Sequence, residues 1–335
     1  MPSSSIPTLD DIRAAQERIR PFAIETPLIP SAVSDDVLLK LECFQPIGAF
    51  KIRGAANAIA KLSDEQKAKG VVCCSTGNHG RAVATVAARA GIRAVVCLSS
   101  LVPETKVKAI QKLGAEVRRI GRSQDDAQQE SDRLVAEEGL TEIPPFDHPA
   151  VVAGQGTIAL EILERRPEIE TIVVPLSGGG LIAGIALAAK AVKPSIRIVG
   201  ISMDRGAAMA ESLNAGRPVA VEEFASLADS LGGGIGPDNR VTFEVCRDHL
   251  DEVILVSEAA IYRGMRSMFF DERIVAEGAS CVGHAALISG QLRISGPTAF
   301  IVTGRNVDTA QFAAIVSGEP VQLGDVTVGL AESVA

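Results

Sequence analysis

The chain has 335 residues, of which 47% are hydrophobic, a length sufficient for two domains with separate cores. Its net charge is −8 and it has no block of lysine and arginine, which argues against nucleic acid and anionic membranes as partners. No apolar run reaches transmembrane length, and the first residues lack the features of a signal peptide, so we expect a cytoplasmic protein. The four histidines show no metal-ligand spacing, which argues against a zinc site.

Short β-branched runs alternate with helical patterns along most of the chain. The predicted strands are 71–75, 94–98, 116–120, 170–176, 197–202, 252–256 and 298–303. The predicted helices are 81–90, 105–113, 125–138, 181–192, 259–270 and 282–292. Short apolar strands separated by helices indicate buried parallel sheets in an α/β fold. Consecutive prolines, Pro144 and Pro145, impose extended geometry and mark the best local candidate for a crossing between domains.

The segment 45–57 places a single lysine, Lys51, after a turn-forming stretch and directly before a helix-forming run. Lysine is the side chain that can form a Schiff base with an aldehyde cofactor. Apolar neighbours lower the pKa of such an amine and make it nucleophilic near neutral pH. Most lysines are solvated surface charges, so this segment alone favours a surface lysine, and the motifs that follow change that interpretation.

A loop with the sequence Leu-Ser-Gly-Gly-Gly-Leu, residues 176–181, lies between a predicted strand and a predicted helix. Its glycines let the backbone approach a ligand closely, and the N–H groups of the following helix point at an anion. The hydroxyl of Ser177 can add a donor. The loop therefore predicts a phosphate cradle, although it lacks the Gly-Lys-Ser/Thr of a nucleoside triphosphate site. The alternative is a tight turn required only for packing.

A second strand-to-helix loop, Ser-Thr-Gly-Asn-His-Gly, covers residues 75–80. Ser75 or Thr76 suits the start of a helix, and the loop presents several N–H donors in a nest sized for a carboxylate. Asn78 can donate to a phenolate-like oxygen. His79 is either a polar residue at a helix start or a functional side chain.

The predicted strand near the C-terminus ends in Thr303-Gly-Arg-Asn. Ligands collect at the carboxyl ends of strands in open parallel sheets, and a threonine hydroxyl there can bond a ring nitrogen without carrying charge. Thr303 alone is more simply a strand-end residue that satisfies backbone groups. Together, however, a lysine, a phosphate cradle, a carboxylate nest and a neutral hydroxyl are what a pyridoxal phosphate (PLP) enzyme acting on an amino acid requires.

The chain resembles the fold-type II PLP enzymes, specifically the serine/threonine dehydratase and serine racemase group. The matching segments are 39–42, 48–55, 75–80, 106–117, 153–161, 174–184, 228–229 and 303–308. This resemblance implies a tryptophan synthase beta-like α/β fold with two open twisted parallel-sheet domains and the cofactor in the cleft between them. It implies a large PLP-binding domain formed by 1–65 and 149–335, a small domain, 66–148, inserted in it, and a homodimer.

The resemblance also implies roles for individual residues. Lys51 would be the Schiff-base lysine, and Phe50 would lie against the cofactor ring. Asn78 would bond the 3′-oxygen, and Thr303 would face the pyridine nitrogen. The phosphate would be held by the N–H groups of Gly178, Gly179, Gly180 and Leu181, with Ser177 beside them. The substrate carboxylate would lie on Ser75, Thr76 and His79, and Thr76 occupies the position of the serine that works on the opposite cofactor face in racemases.

Several positions depart from the family pattern. Ala49 replaces the serine common before Phe-Lys, and Ser230 replaces the glycine after Ala-Asp. Arg305 replaces a glycine and adds a cation at the site or its rim. Many relatives bind a divalent cation through a glutamate and an aspartate, but Ser202 and Ala208 stand in those places, so we expect no such metal.

The combined motifs look most like the hydroxyectoine-utilization dehydratases. The predicted function is therefore a PLP-dependent dehydratase (ammonia-lyase) that eliminates water from a β-hydroxy amino acid, in hydroxyectoine catabolism. Hydroxyectoine itself holds its α-nitrogen in a cyclic amidine, so the substrate would be a ring-opened derivative. The alternatives are a threonine/serine or 3-hydroxyaspartate dehydratase, a β-replacement enzyme, a racemase, or a non-catalytic metabolite-binding protein.

Overall fold

The computed structural model describes residues 5–75, 77–102 and 104–330, so Thr76 lies outside the described residues. The helices in this part of the chain are α1 Leu9–Ile19, α2 Lys51–Ala60, α3 Asp64–Lys69, α4 Asn78–Arg89, α5 Glu104–Gln111, α6 Gln124–Glu138, α7 Pro149–Arg165, α8 Gly180–Val192, α9 Ala208–Ala215, α10 Val241–His249, α11 Glu258–Phe270, α12 Gly278–Ile288 and α13 Thr309–Ser317. The strands are β1 Leu28–Pro30, β2 Val37–Lys40, β3 Val71–Cys74, β4 Ala94–Leu98, β5 Glu116–Arg119, β6 Thr141–Glu142, β7 Thr171–Pro175, β8 Arg197–Met203, β9 Glu252–Val256, β10 Thr298–Ile301, β11 Val321–Leu323 and β12 Val326–Val328. None of the described helices is both long and apolar enough to cross a membrane.

The larger sheet has six strands in the order β1-β2-β10-β7-β8-β9. All neighbouring strands are parallel except the edge strand β1, which runs antiparallel to β2. Helices cover both faces, as the near-continuous apolar strands require. Apolar residues of α1, α7 and α8 form the core on one face, and those of α11, α12 and α13 form it on the other.

The smaller sheet has four parallel strands in the order β5-β4-β3-β6. Its principal core contains apolar residues of α2 and α4, and α6 packs on the opposite face. The strands of this sheet come from residues 71–142, whereas the strands of the larger sheet come from residues 28–40 and 171–301. The strands of the smaller sheet thus all lie within the predicted small domain, 66–148, and those of the larger sheet within the predicted large domain. The exact domain bounds stay a prediction.

Helix α2 connects the two sheets. Its apolar side chains, including Ile52 and Ile59, pack in the core of the smaller sheet. Arg53, fully buried on the same helix, pairs with Glu42 after β2 and with Glu161 on α7, at 2.7 and 2.6 Å. Lys40 completes the group through a 2.5 Å pair with Glu161. Two cations thus balance two carboxylates, as buried charges require, and they fix the start of α2 against the larger sheet.

The predicted strands and helices are found within a few residues of their expected bounds, with one larger shift. The sequence predicted a helix over 282–292, whereas α12 covers Gly278–Ile288. Gly290 adopts a left-handed conformation, with φ of 74°, immediately after this helix. Leu292 lies beyond the turn and is buried against the core. Its apolar side chain therefore continues the helical pattern in the sequence although the helix itself has ended.

Candidate functional site

Lys51 is the first residue of α2 and follows the helix cap Phe50. The N–H group of Phe50 donates to the carbonyl of Thr303 at 3.0 Å, so the start of this helix is joined to the chain that follows β10. The Lys51 side chain is partly exposed, but its amine lies in a densely packed region and donates to the carbonyl of Pro145 at 2.8 Å. Burial lowers the pKa of Lys51 to about 8, and the nearby Glu277 carboxylate opposes that shift. The geometry therefore provides an amine that is half unprotonated at about pH 8, well below the range of an ordinary lysine.

The glycine loop lies between β7 and α8. Gly179, with φ of 86°, caps α8 without a side-chain hydrogen bond. In the described part of the chain, the N–H groups of 178–181 donate to no protein group. Four N–H groups at a helix start without protein acceptors fit an anion, and the predicted phosphate cradle would use these groups.

Phe146 explains why two positions of this loop are glycine. A methyl group added to Gly178 would collide with the Phe146 ring, and one added to Gly180 would lie 2.9 Å from the Phe146 Cα. The loop backbone and the segment before α7 therefore lie in direct contact. Ser177 is partly buried beside the loop.

The second predicted loop links β3 to α4. The described residues place Ser75 after the strand, with its hydroxyl accepting from the N–H of Gly77 at 3.3 Å. His79 is buried, and its Nε2–H donates to the carbonyl of Ile143 at 2.6 Å. Burial, reinforced by the Lys51 charge, lowers the pKa of His79 to about 3. His79 is therefore a neutral imidazole and can offer a carboxylate its backbone N–H in the first turn of α4, but no positive charge.

Asn78 is held by Glu277, which the sequence analysis did not identify, and by Asn306 of the Thr303-Gly-Arg-Asn segment. Its Nδ2 donates to the carboxylate of Glu277 at 2.9 Å, and its Oδ1 accepts from Nδ2 of Asn306 at 2.6 Å. Glu277 also accepts from the N–H of Asn306 and the hydroxyl of Ser230, and burial raises its pKa. Glu277 caps α12 and lies 199 residues from Asn78, so no local sequence pattern indicates this contact.

Thr303 is buried, and its hydroxyl lies 2.8 Å from the hydroxyl of Ser280 on α12. Neither group carries charge, as predicted for Thr303. Arg305, by contrast, is exposed, and its guanidinium stacks over the ring of Phe44 at 5.6 Å. Ser202 is buried on β8, and in residues 5–75, 77–102 and 104–330 no three potential metal ligands cluster.

These parts meet because each follows the carboxyl end of a parallel strand. Lys51, Ser75, the glycine loop and Thr303 follow β2, β3, β7 and β10. The segment 143–146 contacts Lys51, His79 and the glycine loop, since it accepts hydrogen bonds from the two side chains and packs on the loop. A reactive amine, free N–H groups for a phosphate, an amide and a neutral hydroxyl fit PLP in this cleft.

Residues 19–304 match the family described as "Pyridoxal-phosphate dependent enzyme". A putative threonine dehydratase of Sinorhizobium fredii is 51% identical over 93% of this chain and 96% of that protein. The L-threo-3-hydroxyaspartate ammonia-lyase of Saccharomyces cerevisiae is 35% identical over 94% of this chain and 98% of that protein. The structure of maize serine racemase, 37% identical, superposes with a TM-score of 0.87 over 92% of this chain and 96% of that one. The predicted fold-type II architecture is thereby confirmed.

Proposed function

The chain belongs to the family of pyridoxal-phosphate dependent enzymes, and from this premise we propose that it is an ammonia-lyase that eliminates water from a β-hydroxy amino acid. The observation that carries the proposal is the buried amine of Lys51, whose pKa is lowered to about 8, in one cleft with the free N–H groups of the glycine loop. The curated relatives described above, a putative threonine dehydratase and a 3-hydroxyaspartate ammonia-lyase, support this reaction class.

PLP, when bound, withdraws electrons from the substrate and makes the proton on its α-carbon acidic. The residues of the chain supply the remaining functions. The N–H groups of 178–181 would hold the phosphate, and Asn78, fixed by Glu277, would contact the 3′-oxygen. The hydroxyl of Ser75 and the N–H of His79 would bind the substrate carboxylate, together with Thr76.

Lys51 would act as the general base. Its Nζ has a pKa near the working pH, which is the condition for efficient proton removal from the α-carbon. Thr303 would offer only a neutral hydroxyl to the ring nitrogen, which limits charge build-up on the ring and favours loss of the β-hydroxyl over transamination. Phe50, at the start of the same helix, would lie against the ring.

The substrate and the pathway are also part of this proposal. We place the enzyme in hydroxyectoine catabolism, acting on a ring-opened hydroxy-diaminobutyrate derivative, because the motifs around Lys51, Asn78 and Thr303 resemble that branch. We also propose a cytoplasmic homodimer, which light scattering of the purified protein and cell fractionation would test. A 3-hydroxyaspartate substrate is the second candidate, which the yeast relative supports.

The first experiment records the absorption spectrum of the purified protein and then follows ammonia release. The panel contains L-serine, L-threonine, 3-hydroxyaspartate and ring-opened hydroxyectoine. A yellow band together with ammonia from one panel member is the expected result, and it would identify the substrate class. A band that shifts without ammonia would indicate β-replacement or racemisation instead. The absence of any band after addition of PLP would contradict the proposal.

A further inference from the structure

A pocket of about 340 Å³ lies at the carboxyl ends of β8 and β9, and none of the proposed catalytic or cofactor-binding residues lines it. Its walls are the residues that follow β8, the first turns of α11 and the strand β12. Ligands of open parallel sheets collect at this edge, and the volume lies in the range of small-molecule sites. The pocket therefore has the place and the size of a second binding site.

Four charged side chains of both signs line this pocket, namely Asp204, Arg205, Glu258 and Arg263. In the part of the chain that the structure describes, no ion pair joins either arginine to either carboxylate. Arg263 is partly exposed and forms no hydrogen bond or ion pair with any described residue. The opposite charges thus face one pocket without pairing across it.

Arg205 is held in place but is not fully paired. Its Nη2 donates to the carboxylate of Asp325 at 3.0 Å, and its guanidinium stacks over the ring of Phe224 at 4.2 Å. Its Nη1 is buried and has no hydrogen-bond partner among the described residues. A buried donor without an acceptor costs free energy, so an acceptor supplied by a ligand would complete this guanidinium.

The two carboxylates lack a cation. Glu258 is buried, and its Oε2 accepts from the N–H of Leu227 at 2.9 Å. Burial raises the pKa of Glu258, and the charge of Asp204 adds to that shift. Burial also raises the pKa of Asp204. A cationic group that donates hydrogen bonds would stabilise both ionised carboxylates.

We propose that this pocket binds a small zwitterion, whose carboxylate lies on the two arginines and whose N–H-bearing cation lies on the two carboxylates. Val326 and Val328 of β12 offer an apolar wall to the carbon atoms of such a ligand. A free α-amino acid and a cyclic amidinium carboxylate such as hydroxyectoine share this chemistry. The inference does not depend on the reaction in the cleft and goes beyond the proposed function.

The competing explanation is that the pocket holds only water and that its charges are solvated separately. The two explanations differ in what they predict for added zwitterions. Solvated charges would bind no zwitterion saturably. A zwitterion site requires both charges of the ligand and both signs of charge in the pocket.

The test is isothermal titration calorimetry on the PLP-loaded protein after borohydride reduction. Reduction fixes the cofactor on its lysine, so added amines cannot displace it. The probes are hydroxyectoine and L-valine, and glycine betaine is the control because its cation carries no N–H group. The variants are Arg263→Gln, Arg263→Lys and Asp204→Asn. Arg293→Gln is the matched control, since Arg293 is exposed and does not line the pocket.

At least one of the two probes should bind saturably to the wild type and to Arg293→Gln, and glycine betaine should not. Arg263→Gln and Asp204→Asn should each weaken this binding roughly 10- to 150-fold, the range for one hydrogen bond to a charged group. Arg263→Lys should keep most of the affinity because it keeps the cation. Binding of L-valine alone would identify an amino-acid site, and binding of hydroxyectoine alone would identify an amidinium site.

Three results would overturn the inference. One is the absence of saturable binding of both probes, which would leave the pocket to water. Another is equal binding of glycine betaine, because the carboxylates would then accept no N–H group. The third is unchanged affinity in Arg263→Gln and Asp204→Asn, which would place the ligand elsewhere. Both substitutions change side chains that are at least partly exposed, so the variants should fold, and each reports on the pocket independently of the other.

Discussion

The ε-amine of Lys51 donates a 2.8 Å hydrogen bond to the backbone carbonyl of Pro145. Pro145 belongs to the segment between β6 and α7, which also accepts the hydrogen bond of His79 and packs on the glycine loop. The chain therefore crosses between the two sheets through the centre of the candidate site. This contact holds the amine at one place in the cleft before it reacts.

Lys51→Ala should abolish both turnover and covalent attachment of PLP, because it removes the amine that lies beside Pro145 and Glu277. Lys61→Ala is the matched control, since Lys61 follows the opposite end of α2 and is exposed. Borohydride reduction followed by peptide mass spectrometry would locate the attached cofactor. Attachment at another lysine in the wild type would contradict the assignment.

The pKa of Lys51 predicts how the rate of cofactor uptake depends on pH. Burial lowers this pKa to about 8, so the reactive unprotonated amine accumulates as the pH rises through that value. The rate at which cofactor-free protein takes up PLP should therefore increase with pH and then level off, with its midpoint at about pH 8. A midpoint close to that of an ordinary lysine, about 10.4, would show that the amine is not desolvated.

Glu277→Gln should move that midpoint to lower pH. The Glu277 carboxylate stabilises the protonated amine of Lys51, so removing its charge leaves burial unopposed. The side-chain oxygen of glutamine can still accept the hydrogen bond from Asn78. Glu252→Gln, which removes one negative charge from an exposed pair with Arg197, should leave the midpoint in place. An equal shift in both variants would indicate an effect of net charge only.

The sequence predicted the loops of the site more completely than the contacts that support them. Glycine-rich turns between apolar strands and helices are local signals, so the sequence located the loops 75–80 and 176–181. The prediction of a PLP-dependent lyase of the threonine dehydratase type is confirmed. The individual residue roles stay predictions. Glu277 and Ser280 were missed because their partners, Asn78 and Thr303, lie far away in the chain. Strand β2 was also missed, because a lysine is not expected in a buried strand. Lys40 is buried there because it pairs with Glu161, which lies far away in the chain.

Gly178→Ala should weaken PLP binding by roughly five- to 150-fold, because overpacking a rigid site commonly costs about 1–3 kcal/mol. The added methyl group would collide with the Phe146 ring and displace the loop whose N–H groups would hold the phosphate. Phe146→Ala in the same chain should restore part of the lost affinity by giving the methyl group space. Equilibrium titration of the cofactor-free variants would measure this, with Phe146→Ala alone as the reference. A double variant no better than Gly178→Ala would exclude the steric explanation.

Arg53→Met should destabilise the fold much more than the loss of a surface ion pair. Arg53 is fully buried between Glu42 and Glu161, and removing it leaves two carboxylates with only Lys40. Breaking such a buried group typically costs about 3–5 kcal/mol, whereas an exposed pair contributes about 0–1 kcal/mol. Arg166→Met, which removes the exposed pair with Glu168, is the matched control.

Urea unfolding of both variants would give the two free-energy changes directly. Because Arg53 lies two residues after Lys51, a folded Arg53→Met protein should also take up PLP more slowly, since the start of α2 is no longer fixed against the larger sheet. Equal stability losses in the two variants would show that the buried charges are not what holds α2. A loss of stability with unchanged uptake would mean that the network stabilises the fold without positioning Lys51.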